Sequence, residues 1–167
     1  MVAYALSGRI GGPNVNQTVA GTTTNGAGTP LALGTIDRFS DGATRRFVQA
    51  GEAITQYNWV GIDEADQAVK LIKALADAGY RVGVASDVAF ADNDFGWVVV
   101  DGPATARIGA ACAPDVNLYT TATAGVADDT SASQTLLRGC VATVIGNTNS
   151  ISNRAVLLTN PSATAAP

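Results

Sequence analysis

The sequence predicts a mainly β fold: a small β-barrel or sandwich of short antiparallel strands, with one short helix and an extended N-terminal arm. Short apolar segments recur after residue 31, and turn residues separate them at intervals of about 8–12 positions. Only one stretch has the spacing of an amphipathic helix. A length of 167 residues fits one domain. We therefore divide the chain into an arm, residues 1–30, and a β-barrel domain, residues 31–167.

The arm differs from the rest of the chain in composition. Gly, Thr and Asn dominate it, as in residues 21–30, and neither helical nor strand periodicity persists. Two interpretations remain open, a disordered tail or a segment that becomes ordered on a partner. We hypothesise an assembly clamp, because unpaired backbone groups can add to a sheet edge or lie along a groove of a neighbouring subunit.

The predicted strands of the first half of the domain are short and end at turn residues. They span residues 31–39, 43–48, 54–62 and 81–85. The sequence Ser40-Asp41-Gly42 marks a turn after the first strand, and Gly51 interrupts the second.

In the second half, residues 96–100 form the strongest predicted strand because they are β-branched or aromatic after the first glycine. The turn signal Asp101-Gly102-Pro103 is expected to end this strand. Further strands are predicted at residues 104–110, 116–121, 136–145 and 155–159.

The stretch from Asp63 to Gly79 allows two interpretations. It is typical of a helix with Asp63 as the N-cap and Gly79 as the end. Two i,i+4 pairs support the helix, Asp66–Lys70 and Lys73–Asp77. Residues 62–69 are equally typical of a hairpin tip, which would leave only residues 73–78 helical. Periodicity does not decide between these alternatives.

Composition and charge exclude several classes of partner. The net charge is −4, and charged residues make up 14% of the chain, against a usual value of about 25%. The longest cationic run is Arg45-Arg46, so a nucleic-acid partner is not expected. No apolar run is long enough to span a membrane, and no secretion signal precedes residue 10. We expect a soluble protein made in a cytoplasm.

The residue types argue against an enzyme. The chain has no histidine, which excludes Ser-His-Asp and Cys-His nucleophiles and His-bearing zinc sites. The sequence from Asp92 to Gly96 departs from a calcium loop in the placing of its glycine, so a turn is expected there. The adjacent acids Asp63-Glu64 and Asp128-Asp129 are expected in solvated loops. We predict no catalytic residues, no metal and no cofactor.

Two cysteines, Cys112 and Cys140, follow no paired motif. They are either two small buried side chains or a disulfide bridge, and the spacing does not demand a bridge. We favour free thiols, because a bridge would imply assembly outside a reducing compartment.

A series of glycine-punctuated short strands extends from residue 47 to residue 161. Its segments are residues 47–54, 82–85, 96–102, 117–121 and 156–158. A Val-Gly-Val-Ala strand here precedes a Gly-x-Val-x-Val-x-Gly strand. In this pattern the chain resembles bacteriophage capsid cement (head decoration) proteins of the small β-barrel type. The resemblance covers about two-thirds of the chain. The chain departs from the family pattern in its long polar N-terminal segment and between Asp63 and Gly79.

The resemblance implies a structural protein of the virion. Such proteins bind the outer surface of the major capsid protein shell, often as trimers, and bridge neighbouring capsomers. We therefore expect a homotrimer whose partner is the major capsid protein. The alternative is a non-catalytic β-barrel module that binds a carbohydrate or a small ligand. Trp59, Trp97 and Tyr119 would be its aromatic platforms, although they fit core or interface positions better.

Overall fold

The computed structural model describes residues 31–164, and these form a mainly β fold, as predicted. Ten strands make one sheet, and a single short helix accompanies them. The predicted arm, residues 1–30, lies outside the described residues, as do residues 165–167. Within the described part, no helix has the length and apolar character needed to cross a membrane.

Most of the strands are short, and two of them, the sixth and the tenth, are long. In chain order the strands are β1 (Ile36–Arg38), β2 (Thr44–Ala50), β3 (Trp59–Ile62), β4 (Gln67–Lys70), β5 (Arg81–Val84), β6 (Phe95–Ile108), β7 (Leu118–Thr120), β8 (Ala127–Asp128), β9 (Leu136–Ala142) and β10 (Ser152–Thr164). The helix α1 (Lys73–Asp77) lies between β4 and β5.

The pairings close two rings of five strands each that share β6. The first ring runs β2–β4–β3–β5–β6 and returns to β2. The second runs β10–β6–β8–β7–β9 and returns to β10. All pairings are antiparallel except β2 with β4 and β6 with β8. Ring closure removes open sheet edges, and β1 pairs with β2 alone.

Successive side chains of β3 point alternately into two separate hydrophobic cores, one on each face of the strand. Val60 and Ile62 of β3 pack in one core with Val48 and Val98. Trp59 lies in the core on the opposite face. Strand β3 is buried along its whole length because it has a core on each side.

A third, aromatic cluster lies beside β2 and β6. The Trp97 ring meets those of Phe39 and Phe47 edge-on, at centroid distances of 5.2 and 5.3 Å. Leu31 packs against this cluster.

Of the two interpretations between Asp63 and Gly79, the structure has the hairpin. Strands β3 and β4 form it, and the only helix between Asp63 and Gly79 is α1. Asp63 caps the hairpin turn, since its Oδ1 accepts hydrogen bonds from the N–H groups of Ala65 and Gln67. The i,i+4 pair Lys73–Asp77 forms in α1.

The predicted pair Asp66–Lys70 is wrong, because these residues are not on a helix. Asp66 lies in the hairpin turn and binds Arg46 and Arg81 instead. Lys70, on β4, pairs with Glu52. A hairpin thus brings together residues that are distant in sequence.

The prediction that Asp101-Gly102-Pro103 ends a strand is wrong. Strand β6 continues through these residues to Ile108, so the separate strand predicted at 104–110 is the second half of β6. Gly102 has a φ of +90°, and the β2–β6 register shifts between Thr44 and Arg45. The turn residues therefore produce an irregularity within a continuous strand.

The strand predicted at 54–62 is shorter than expected. Only Trp59–Ile62 is a strand, and Ile54 makes an isolated bridge to Phe90. Tyr57 interrupts the extended backbone because its φ is +72°.

Candidate functional site

The outer face of the second ring presents a row of uncharged side chains. We call this surface the outer face and define it by these residues: Pro103 and Thr105 of β6, Val141 of β9, Thr143 directly after β9, and Ala155 and Leu157 of β10. Their register is fixed by the sheet, in which Leu157 lies opposite both Pro103 and Val141. Ala155 lies opposite Thr105 and accepts a hydrogen bond from the Thr143 N–H.

The alternation along β10 separates this face from the core. Val156 and Leu158 are buried, while Leu157 between them is 43% exposed. None of the six residues of the outer face is charged. An exposed surface that carries a large apolar side chain and no charge is typical of a protein-binding site.

Two further exposed apolar side chains directly follow Thr143 in the chain. Val144 is 45% exposed and Ile145 is 58% exposed. The backbone is anchored on both sides of this pair, at Thr143 by Ala155 and at Gly146, whose N–H donates to the Cys112 carbonyl over 2.8 Å. The pair is therefore held in place before any partner binds, which lowers the entropy cost of binding.

A buried arginine flanks the outer face. Arg45 is 2% exposed, and it lines a cleft of about 440 Å³ beside Pro103 and Thr105. Its guanidinium donates to both Asp41 oxygens over 3.0 and 2.6 Å and to both Asp87 oxygens over 2.8 and 3.1 Å.

The same guanidinium lies over the Phe39 ring, 4.7 Å from its centroid. Burial alone would raise the pKa of Asp41. The hydrogen bonds and charge of Arg45 outweigh burial and lower this pKa below its usual value. The charge of the buried Arg45 is thus compensated by Asp41 and Asp87, which composition and spacing did not reveal.

The adjacent acids Asp128 and Asp129 lie beside Cys112, and all three are at least partly buried. One ligand atom from each lies within 4.8 Å of the others. Asp129 accepts a hydrogen bond from the Ala113 N–H over 2.9 Å. Burial raises the pKa of Asp128, and it raises the pKa of the Cys112 thiol to about 11. The Cys112 thiol therefore carries little thiolate near neutral pH. The acid pair is half-buried, not fully solvated as expected.

Both cysteines are free and buried, as favoured from the sequence. Burial raises the pKa of Cys140 to about 12. Thiols with such pKa values carry almost no thiolate near neutral pH, so they are inert packing groups.

The three aromatic residues considered as ligand platforms are not equally placed. Trp59 and Trp97 are buried, and the Trp59 Nε1–H donates to the Arg107 carbonyl over 3.0 Å. Tyr119 is half-buried on β7. The two indole rings are therefore core groups, which agrees with the preferred interpretation and removes two of the three proposed platforms.

Sequence reasoning did not identify the outer face. Leu157 was assigned to a strand, but the side of β10 that faces outward follows only from its pairing with β6 and β9. Arg45 carried no sequence signal for burial. Comparisons of the chain with protein-family models, with curated proteins and with solved structures found no match.

Proposed function

We propose that this protein is a structural protein that decorates a bacteriophage capsid. It would bind the outer surface of the major capsid protein shell and bridge capsomers, as a homotrimer within the virion. The observation that carries this proposal is the outer face, because it is uncharged, contains the exposed Leu157 and is followed in the chain by the exposed pair Val144 and Ile145.

The chemistry of the domain agrees with a role without catalysis. The absence of histidine removes the commonest general base. Within residues 31–164, the carboxylates that lie near one another serve local structure: Asp41 and Asp87 bind Arg45, and Asp129 holds the Ala113 N–H. The low content of charge on the chain also favours close contact with another protein surface.

A charge placed in the outer face should weaken shell binding. In the variant Leu157→Glu, a carboxylate would have to be desolvated in the interface, and we expect the affinity to fall about thirtyfold or more. Co-sedimentation with shells assembled from the major capsid protein of the same phage measures this. Ile36→Glu is the matched control, since Ile36 is 52% exposed on β1, outside this face. Equal binding by both variants would contradict the assignment of the face.

Deletion of the arm tests the clamp hypothesis separately. Removal of residues 1–30 should leave the melting temperature nearly unchanged, because this segment is rich in Gly and Thr and poor in core-forming side chains. Binding to undecorated shells should be abolished or strongly weakened, since three arms in a trimer act by multivalency. Calorimetry and the same co-sedimentation assay measure the two effects. Unaltered occupancy by the truncated protein would disprove the clamp.

A further inference from the structure

A second cleft lies beside the C-terminal end of β6, where it is lined by Arg107. Its volume is about 410 Å³, within the usual range of small-ligand sites. We call it the Tyr57 cleft, and its lining includes Thr55, Tyr57, Arg107, Ile151, Ser152 and Asn153. This lining contains one cationic side chain and no acidic one, among the described residues.

The wall of the cleft is fixed by a strained residue. Tyr57 has a φ of +72°, a conformation that is rare for a bulky side chain and costs about 1–3 kcal/mol. Two backbone hydrogen bonds hold it there. The Tyr57 N–H donates to the Ala85 carbonyl over 2.7 Å, and the Tyr57 carbonyl accepts from the Arg107 N–H over 2.8 Å. Strain of this kind is retained where the surrounding structure requires one geometry.

Hydrogen bonds also fix the side chains of the residues on either side of Tyr57, which are Gln56 and Asn58. The Gln56 side-chain N–H₂ donates to the carbonyls of Ser86 and Asp87 over 3.2 and 2.9 Å. The Asn58 side chain is buried, and its Oδ1 accepts a hydrogen bond from Arg107 over 3.3 Å. The guanidinium is thus oriented by a neutral group, and the cleft exists without a ligand.

No acidic side chain among the described residues forms an ion pair with Arg107. Asn58 accepts from only one of the five guanidinium N–H donors. A planar guanidinium with donors remaining is the group that binds a carboxylate in two-pronged geometry.

We propose that the Tyr57 cleft binds a hydroxylated carboxylate of monosaccharide size, such as a uronic acid. Arg107 holds the carboxylate, and the ring of Tyr57 with Ile151 packs against the apolar face of the sugar. The hydroxyl and amide groups of Ser152 and Asn153 bind the sugar hydroxyls. In the β6–β10 register, Arg107 and Asn153 lie opposite each other, two residues along the same face from Thr105 and Ala155, so the site adjoins the outer face. Ligand binding there does not require the shell.

Titration of the full-length protein with sodium glucuronate, followed by backbone amide NMR shifts, tests the proposal. We expect saturable shifts around residues 55–58, 107 and 151–153. Acetate should bind more weakly because it has no hydroxyl groups, and glucose should bind more weakly because it has no carboxylate. Absence of saturable shifts with glucuronate, or equal affinity for acetate or glucose, would overturn the proposal.

Two variants of Arg107 sharpen this test. Arg107→Gln should raise the dissociation constant for glucuronate about tenfold or more, since it removes a charged hydrogen-bond donor. Arg107→Lys keeps the positive charge but loses the planar guanidinium that can donate two hydrogen bonds to one carboxylate, so it should bind glucuronate with intermediate affinity. Arg38→Gln is the control, because Arg38 is exposed on β1 and does not line the cleft. Both Arg107 variants keep the backbone bond to Tyr57, and wild-type affinity in both would refute the site.

Discussion

The variant Arg45→Met should be less stable than the wild type by about 3 kcal/mol, at the low end of the range for breaking a buried ion pair. Methionine fills a similar volume, but Asp41 and Asp87 lose the cation that compensates them. The low end applies because Asp41 is 37% exposed and can regain water. Urea unfolding at pH 7 measures the difference in the free energy of unfolding.

The control for this variant is Lys73→Met. Lys73 and Asp77 form an exposed i,i+4 pair, whose loss should cost less than about 1 kcal/mol. If the two variants lost equal stability, the Arg45 cluster would contribute no more than a surface pair.

The contribution of Arg45 should also depend on pH. The pKa of Asp41 is lower in the folded protein than its usual value of 3.8, so on acidification the unfolded chain binds the proton first. The stabilisation is therefore present above about pH 4 and is lost as the pH falls through the folded pKa. The difference in stability between wild type and Arg45→Met should be constant above about pH 4 and should shrink as the pH falls below about 4 in the same urea assay.

The variant Gly102→Ala should be destabilised by about 3 kcal/mol or more, because strain and a steric clash add. Gly102 has a φ of +90°, and a Cβ atom there would lie 2.7 Å from the Gly42 carbonyl oxygen and 2.9 Å from the Ala43 Cα. Both neighbours are backbone atoms, so the turn between β1 and β2 would have to move. Urea or thermal unfolding measures the loss.

Gly79→Ala separates the two causes. Gly79 has a similar φ of +84°, but a Cβ atom there meets nothing within 4 Å. Its replacement should cost about 1 kcal/mol, from backbone strain alone. If both variants lost the same free energy of unfolding, the steric contact with the β1–β2 turn would contribute nothing to the destabilisation.

The same position explains where prediction from the sequence failed. Turn chemistry is local, and Asp101-Gly102-Pro103 has the composition of a turn. The close approach of Gly42 to Gly102 is a contact between residues distant in sequence, and it decides that the glycine serves a continuous strand. Strand segments with clear alternation, such as β5 and β9, were predicted because their signal is local.

The candidate sites depend still more on non-local contacts. Leu157 faces outward because β10 pairs with β6 and β9, and Arg107 reaches the Tyr57 cleft because β6 is long. The burial of Arg45 follows from two acids, at positions 41 and 87, that the fold brings to it. The positive φ of Tyr57 contradicts its intrinsic preference and had no sequence signal.

Strand β6 belongs to both rings, and β10, the last of the ten strands in chain order, completes only the second. During synthesis on the ribosome, the first ring has all its strands once residue 108 has emerged. The second must wait with β6, β8, β7 and β9 already made, until residues 152–164 emerge. The nascent chain therefore passes through a stage with one closed ring and one ring whose strand edges are exposed, and exposed strand edges favour aggregation.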